Sequence, residues 1–285
     1  MHLSADDVRS LHKYDLRVLQ SLEFLMSRYD WVPVEELTKN SRLSASEVNY
    51  RVRRLVDKGM IKFTQIPYPS YCLLYNGYDT LAVNHLAKKG TISALGTLVG
   101  EGKESLVYEA IGTGPVILKF HRVGQRSFKT VQRSRGFLPD KGHCPWIFAS
   151  HLSAEQEYIA LSTLHRTVSV PVPLLMNRNV VVMSHIAGAN LNVVTLAEPG
   201  KFFDEIIEGI TKAYKLGFVH GDLSEYNIMT DGEKPVIIDW PQWVAPDHPN
   251  AEEILDHDIR TVCQFFQRKY QMKIDPDELR SSVIG

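Results

Sequence analysis

The chain has 285 residues, of which 44% are hydrophobic and 23% are charged, and its formal net charge is −1. This composition describes an ordinary soluble globular protein with room for two or three domains, and the absence of an apolar run near eighteen residues argues against a signal peptide or membrane span. Its three cysteines (Cys72, Cys144 and Cys263) show neither metal-ligand spacing nor a disulfide framework, which favours buried thiols in a reducing cytoplasm.

Residues 1–90 are predicted to form a compact helical domain. Leucines at helical spacing predict a first helix that ends near Tyr29, and a short helix follows through Leu37. Ser44 is the expected N-cap of a third helix, which Gly59 ends. Two strands and a last helix complete the domain, at Ile61–Ile66, Tyr71–Leu74 and Gly77–Lys89. This order of elements is typical of a winged helix-turn-helix.

The third helix carries several basic residues that could contact nucleic-acid phosphates. The alternative is that basic residues on an exposed helix only keep it soluble. Both interpretations stay open on the sequence. The residues concerned are Arg51, Arg53, Arg54 and Lys58.

The run from Lys88 to Thr91 marks a domain boundary, so a second domain is predicted over residues 91–285. Residues 92–98 are expected to form a linking helix. A glycine-rich turn between two strands comes next, and it follows the kinase pattern G-x-G-x-x-G-x-V with Ser105 in place of the third glycine. Glycines let the backbone approach phosphate groups closely. The predicted nucleotide-binding residues of this turn are Gly100, Gly102, Lys103, Glu104, Ser105 and Val107.

An apolar strand ends in Lys119, seventeen residues after Gly102. In this order of parts a lysine pairs with the α- and β-phosphates of ATP and needs a carboxylate to hold it. The helix that begins near Ser153 offers Glu157 or Glu155 for that purpose. Between them lies a basic segment, roughly residues 122–147, which is interpreted as a mobile loop and a candidate contact for a partner or RNA.

Val180–Ile186 is predicted to be a buried strand that runs into a turn. In a two-lobed kinase this strand leads to the hinge between a smaller lobe, here about 91–183, and a larger lobe, here 184–285. Backbone groups near Ser184 and Ile186 would then meet adenine, and Met183 would line the pocket.

The stretch from His220 to Asn227, followed by a strand that ends at Asp239, carries the chemistry of the chain. Asp222 can accept or orient the proton of an attacking hydroxyl, while Asn227 and Asp239 supply hard oxygen ligands for Mg²⁺ or Mn²⁺. Only 46 residues follow Asp239, and neither D-F-G nor A-P-E occurs. The sequence therefore predicts a phosphoryl-transfer core without the usual peptide-binding platform.

These residues together resemble the RIO atypical serine/threonine kinases. The resemblance rests on Gly100–Ser105, Lys119–Gly124, Ser127-Phe128, His220-Gly221-Asp222 with Asn227, and Ile238–Gln242. The helical first domain points to the second RIO subfamily. Trp240 departs from the usual Phe, and Ser184-His185 from the usual Glu-Leu.

The resemblance implies an α+β fold, a winged helix-turn-helix followed by a minimal two-lobed kinase domain. It further implies ATP and Mg²⁺ binding, catalysis by Asp222 with Lys119 and Asp239, support of Lys119 by Glu157, and metal binding by Asn227 and Asp239. Autophosphorylation on serine, with Ser127 as a candidate, transient phosphorylation of Asp239, and cytoplasmic maturation of the small ribosomal subunit are implied as well. The expected partners are precursor subunits and their rRNA.

Two other functions stay open on the residues alone. Aminoglycoside-type small-molecule kinases also carry H-G-D-x-x-x-x-N and I-D-W, but they have no evident need for the first domain. A nucleic-acid-binding regulator that only senses nucleotide would not need the complete set of Lys119, Asp222, Asn227 and Asp239.

Overall fold

The computed structural model describes residues 3–124 and 145–285. The helices in these residues are α1 Ala5–Arg9, α2 Lys13–Leu25, α3 Val34–Ser41, α4 Ala45–Asp57, α5 Tyr75–Lys88, α6 Pro145–Leu164, α7 Pro199–Lys215, α8 Ala251–Tyr270 and α9 Pro276–Ile284. The strands are β1 Val32–Pro33, β2 Ile61–Thr64, β3 Ser70–Leu73, β4 Ala94–Glu101, β5 Ser105–Ile111, β6 Pro115–His121, β7 Pro173–Asn177, β8 Val180–Ser184, β9 Ala189–Asn190, β10 Ile228–Thr230 and β11 Pro235–Ile237. The chain divides into two compact units, the first formed by residues 1–154 with 176–181 and the second by 155–175 with 182–285.

The N-terminal domain lies in the first unit and follows the predicted order of elements. Its α4 begins at Ser44, whose hydroxyl accepts the Glu47 N–H at 3.2 Å, and it ends before Gly59, which has φ 62°. Strands β2 and β3 form the predicted hairpin, and β1 adds a third strand in the order β1-β3-β2. The apolar faces of α2 and α4 meet in a common core that includes Leu19, Leu22, Val48, Val52 and Leu55.

Most basic residues in and just after α4 form ion pairs with acidic residues of the same domain. Arg51 is buried and pairs with Glu47 at 2.5 Å and Asp15 at 3.5 Å. Arg54 also approaches Asp15, and Lys58 lies 3.6 Å from Asp7. The exposed Arg53 is thus the member of the predicted phosphate-binding set that faces solvent most openly.

Residues 92–98 do not form the predicted linking helix. Ala94–Glu101 is strand β4, which pairs antiparallel with β5 from Ala94 opposite Ile111 to Glu101 opposite Leu106. The apolar residues of this segment mimic a helical spacing, but Gly96 and Thr97 are poor helix formers. Pairing with β5 therefore decides the conformation of the segment.

Strand β4 begins a five-stranded sheet with the order β4-β5-β6-β8-β7. Strand β6 pairs with β5 from Ser105 opposite His121 to Ile111 opposite Pro115, so the glycine-rich turn and the Lys119 strand are adjacent. The buried strand predicted near Val180 is confirmed as β8. Strand β7 was not predicted from the sequence.

The second unit contains a small sheet with the order β11-β10-β9, which carries the catalytic segment, and the helices α7 to α9. Strands β10 and β11 form a hairpin around Asp231-Gly232, with Ile228 opposite Ile237. Helix α8 is followed by α9, which was not predicted from the sequence. No described helix has the length and apolar character that crossing a membrane requires.

Candidate active site

The glycine-rich turn joins β4 and β5 and is closed by main-chain bonds. The N–H of Gly102 donates to the carbonyl of Ser105 at 2.9 Å. The N–H of Arg122, just beyond β6, donates to the carbonyl of Glu104 at 2.7 Å. Gly102 and Lys103 are exposed at the tip, where Lys103 can meet an anion because the N–H of Gly102 is already bonded to Ser105, while Val107 is half-buried in β5.

Lys119 lies on β6 directly opposite Val107, two residues before the strand ends. Its side chain is only 7% exposed. A buried ammonium group is costly unless partners compensate its charge, so this position suits a lysine that works on an anion rather than an ordinary edge lysine. The predicted phosphate-binding residues of the first unit thus share one hairpin and its neighbouring strand.

Glu157 and Glu155 both occur on α6, and their environments differ. Glu157 is 1% exposed, whereas Glu155 faces solvent. The Oε1 atom of Glu157 accepts the backbone N–H of Trp240 at 3.3 Å. Of the two glutamates, Glu157 is thus the buried one, and it is bonded to the residue that follows Asp239. Its pairing with Lys119 stays a prediction.

The proposed hinge follows β8. Met183 is buried, while Ser184 and Ile186 are half-buried. The N–H of Ser184 donates to the carbonyl of Val172 at 2.9 Å, and its hydroxyl accepts the Val172 N–H. Because that N–H is already used, Ser184 can offer adenine its carbonyl rather than its amide.

The loop that carries Asp222 is held in shape by the body of the second unit. Gly221 has φ 83°, a left-handed conformation that favours glycine, and a Cβ there would lie 2.6 Å from the carbonyl oxygen of Gln242. The buried carboxylate of Asp258 on α8 accepts the N–H groups of Gly221 at 2.8 Å and Leu223 at 2.9 Å. Asp222 is thereby fixed between two anchored neighbours.

His220 connects the same loop to the strand of Asp239. Its Nε2 atom lies 2.9 Å from the carbonyl oxygen of Ile238, and its ring packs against Trp240 with centroids 4.5 Å apart. Trp240 is 1% exposed and donates its indole N–H to the carbonyl of Ile237. The unusual Trp at this position is therefore a core residue that supports the site.

The predicted catalytic and metal-binding residues of the second unit come together. Asn227 donates from Nδ2 to the carbonyl of Asp222 at 2.7 Å, and its own carbonyl accepts the Ile238 N–H at 2.9 Å. Asp239 has φ 67°, a conformation that few residues other than glycine adopt. Such strain is typical of functional positions, where the surrounding structure holds a side chain in place.

Electrostatics favour a cation beside these residues. Desolvation by the surrounding protein, and next the like charge of Asp239, raise the pKa of Asp222, although its side chain still reaches solvent. A divalent cation relieves such repulsion between two carboxylates. The donor set also fits: Asp239 supplies carboxylate oxygens, and the bond from Nδ2 of Asn227 leaves its Oδ1 as a ligand.

Across residues 3–124 and 145–285, no cluster of three or more His, Cys, Asp or Glu residues is suited to a metal ion. An Asp–Asn pair falls below that size, so a metal held by Asn227 and Asp239 would take its remaining ligands from phosphate oxygens and water, as Mg²⁺ commonly does.

Sequence reasoning missed the anchoring role of Asp258. Its signal was nevertheless present, because Asp258 shares the buried face of α8 with Leu255, Ile259 and Val262. A carboxylate on an apolar helix face requires hydrogen-bond donors, and here the catalytic loop provides them. The candidate autophosphorylation site Ser127 and most of the basic segment around it lie outside the described residues.

Comparison with known proteins identifies the family to which the chain belongs. Residues 106–279 match the model of the RIO domain family, and residues 8–89 match the N-terminal domain of Rio2. The chain is 38% identical to the RIO-type serine/threonine-protein kinase Rio2 of Methanocaldococcus jannaschii, over 89% of this chain and 98% of the relative. It is 31% identical to rio2 of Schizosaccharomyces pombe, over 96% of this chain and 82% of the relative.

The fold is similar to that of a solved structure as well. The crystal structure of the Rio2 kinase-ADP/Mg²⁺-phosphoaspartate complex from Chaetomium thermophilum matches with a TM-score of 0.83 and 30% identity, covering 98% of this chain and 89% of that one.

Proposed function

Because this chain belongs to the RIO kinases and carries both the RIO domain and the Rio2 N-terminal domain, we propose that it transfers the γ-phosphoryl group of ATP with the help of Mg²⁺. Its membership makes it a serine/threonine-protein kinase of the atypical RIO type. The acceptors proposed here are a serine hydroxyl and, transiently, the carboxylate of Asp239, since a related Rio2 structure is described as a phosphoaspartate complex.

The observation that carries the proposal is the arrangement of Asp222, Asn227 and Asp239. The side chain of Asn227 is bonded to the main chain of Asp222, and its own main chain is bonded to the residue before Asp239. Asp239 and Asn227 would hold the metal ion. When bound, such an ion neutralises negative charge on the phosphates. Asp222, with its raised pKa, would accept the proton of the attacking hydroxyl.

The first unit would supply the phosphate contacts. Lys119 would contact the α- and β-phosphates, and the exposed tip at Gly102 and Lys103 would cover the nucleotide, with Lys103 as its contact to the phosphates. The carbonyl of Ser184 and the N–H of Ile186 would bind the adenine edge.

Incubation with ATP labelled at the γ-position tests the proposal. The wild type is expected to place label on the chain or release it as phosphate, in a Mg²⁺-dependent manner. Asp222→Asn and Asp239→Asn should each lower this rate by at least about a hundredfold, as expected for a group that acts in the transition state. Asp231→Asn, at an exposed turn of the same hairpin, is the matched control. Transfer of label to an added aminoglycoside, with none on protein, would instead identify a small-molecule kinase.

We further propose that the enzyme acts in the cytoplasm on precursors of the small ribosomal subunit and contacts their rRNA. The support is its family membership and an N-terminal domain with the element order of a nucleic-acid-binding module. Because Arg51, Arg54 and Lys58 are engaged in ion pairs, Arg53 is the residue of α4 to test.

Co-sedimentation with small ribosomal subunits tests this partner. The wild type should sediment with the subunits in a salt-dependent manner, and Arg53→Glu should weaken the association. Equal recovery of the wild type and Arg53→Glu with the subunits would show that Arg53 does not contribute to the association. Absence of both proteins from the subunit fraction would refute the proposed partner.

A further inference from the structure

Arg122 connects two parts of the first unit through different atoms. Its backbone N–H donates to the carbonyl of Glu104, in the glycine-rich turn, at 2.7 Å. The same turn is closed by the bond from Gly102 to Ser105. Arg122 also lies three residues beyond Lys119 along the chain. Its main chain is therefore part of the proposed phosphate site.

The side chain of Arg122 reaches in the other direction, onto α5 of the N-terminal domain. Its Nε atom donates to Oδ2 of Asp79 at 3.0 Å, and Nη2 donates to the same oxygen and to Oδ1 of Asn76 at 3.1 Å. The guanidinium also lies over the ring of Tyr75, with its carbon 5.4 Å from the centroid. Helix α5 thus holds the arginine by charge, hydrogen bonds and stacking.

Asp79 is itself fixed from the far side. It is 1% exposed, and its Oδ1 atom accepts from Nδ2 of Asn179 at 2.7 Å. Asn179 also donates to the carbonyl of His121 and accepts the N–H of His121 at 2.8 Å. Both oxygens of Asp79 are therefore bound, Oδ2 to Arg122 and Oδ1 to Asn179. A buried carboxylate without its cationic partner is strongly destabilising, so this contact is firmly held.

We propose that Arg122 is a positioning residue for ATP binding, through which Asp79 of the N-terminal domain fixes the glycine-rich turn. This inference rests on the proposed ATP site and adds a task for the N-terminal domain besides contact with a partner. Loss of the Asp79 charge frees the arginine side chain, the main chain at residue 122 moves, and the carbonyl of Glu104 loses its donor.

A competing explanation is that the ion pair only attaches one domain to the other. The chain offers a matched control for this, because Arg178 in the β7–β8 turn forms a two-armed ion pair with Glu23 on α2, both bonds at 2.8 Å. That pair also joins the N-terminal helices to the sheet, and neither of its residues is bonded to the glycine-rich turn. An effect of domain attachment alone should appear in both pairs.

The experiment compares Asp79→Asn, Arg122→Lys and Glu23→Gln with the wild type in the full chain. Hydrogen exchange at the amides of Gly102 and Arg122 reports on the turn without any need for catalysis. Both amides should exchange at least about tenfold faster in Asp79→Asn and remain at wild-type rates in Glu23→Gln. The dissociation constant for ATP should rise about five- to tenfold in Asp79→Asn, with kcat at saturating ATP within about twofold of the wild type.

Arg122→Lys keeps the charge but loses the fork of donors, so intermediate values are expected for it. It also preserves the test if Asp79→Asn does not fold. Unchanged exchange at Gly102 and Arg122 in a folded variant would overturn the proposal, and so would equal weakening of ATP binding by Glu23→Gln. Failure of the wild type to bind ATP would refute the proposed function instead. The exchange rates at Gly102 and Arg122 would still show whether Asp79 fixes the turn.

Discussion

Gly221 shows how strictly the residue before the catalytic aspartate is constrained. Its φ is 83°, and a Cβ would meet the carbonyl oxygen of Gln242 at 2.6 Å. We expect Gly221→Ala to lower the free energy of unfolding by about 3 kcal/mol, because backbone strain and overpacking add. Activity should fall as well, since Asp222 must move with the loop. Gly217→Ala is the control: it has φ 92° but no atom within 4 Å of its Cβ position.

Chemical denaturation of both variants measures this difference. Gly217→Ala should cost about 1 kcal/mol, the strain alone, and retain activity. Equal destabilisation by Gly221→Ala and Gly217→Ala would mean that the close approach to Gln242 adds nothing to the free-energy cost.

Asp258 provides a second test at the residue scale. Asp258→Asn replaces one of two acceptor oxygens with an N–H₂ group that faces a backbone N–H of the catalytic loop. We predict a loss of about 1–3 kcal/mol in the free energy of unfolding and a marked fall in kcat. The phosphoryl-transfer assay, combined with thermal unfolding, would show this; a fully active variant would contradict the anchoring role.

Individual residues also show what sequence could predict. The set of Lys119, Asp222, Asn227 and Asp239 was predicted because these residue types, in this order along the chain, are the ones that phosphoryl transfer requires. Their roles stay predictions. The residues alone left Glu155 and Glu157 open, and the resemblance implied Glu157, which is the one that the packing of α6 buries. Likewise, nothing in the sequence near Arg51 indicated that Asp15, thirty-six positions away, would engage it.

Among the secondary-structure elements, helix α4 carries one buried, paired arginine and one exposed arginine. Arg51 pairs with Asp15, which has no exposed surface, whereas Arg53 faces solvent. We expect Arg51→Met to lower the free energy of unfolding by about 3 kcal/mol because it leaves a buried carboxylate with a weaker partner. Arg53→Met should leave stability unchanged and weaken association with nucleic acid. Urea unfolding of both variants provides the measurement, and a stable Arg51→Met would show that the pair contributes little.

Elements with a strong local signal were predicted well, and elements decided by distant pairing were not. Capping at Ser44 and the break at Gly59 set the limits of α4 from local chemistry alone. Residues 92–98 were predicted to be a helix, but from Ala94 onward they belong to β4, because their partner in β5 lies beyond the glycine-rich turn. The short α1 and β7 carry too few residues for a periodic pattern to emerge.

In the whole molecule, an N-terminal domain with its own core is followed by a RIO domain. The described residues after Asp239 form helices α8 and α9, and α8 is devoted in part to holding the catalytic loop through Asp258. This fits the absence of A-P-E from the sequence.

Asp239 and Asn227 are proposed to hold a divalent ion together with ATP, and calorimetric titration of ATP with and without Mg²⁺ measures that coupling. In the wild type, Mg²⁺ should tighten ATP binding at least about tenfold, since ATP otherwise faces the carboxylates of Asp222 and Asp239 without a cation. Asp239→Asn should abolish most of that gain, while Asp231→Asn retains it. Identical ATP affinity in Mg²⁺ and in a chelator, for the folded wild type, would contradict the account.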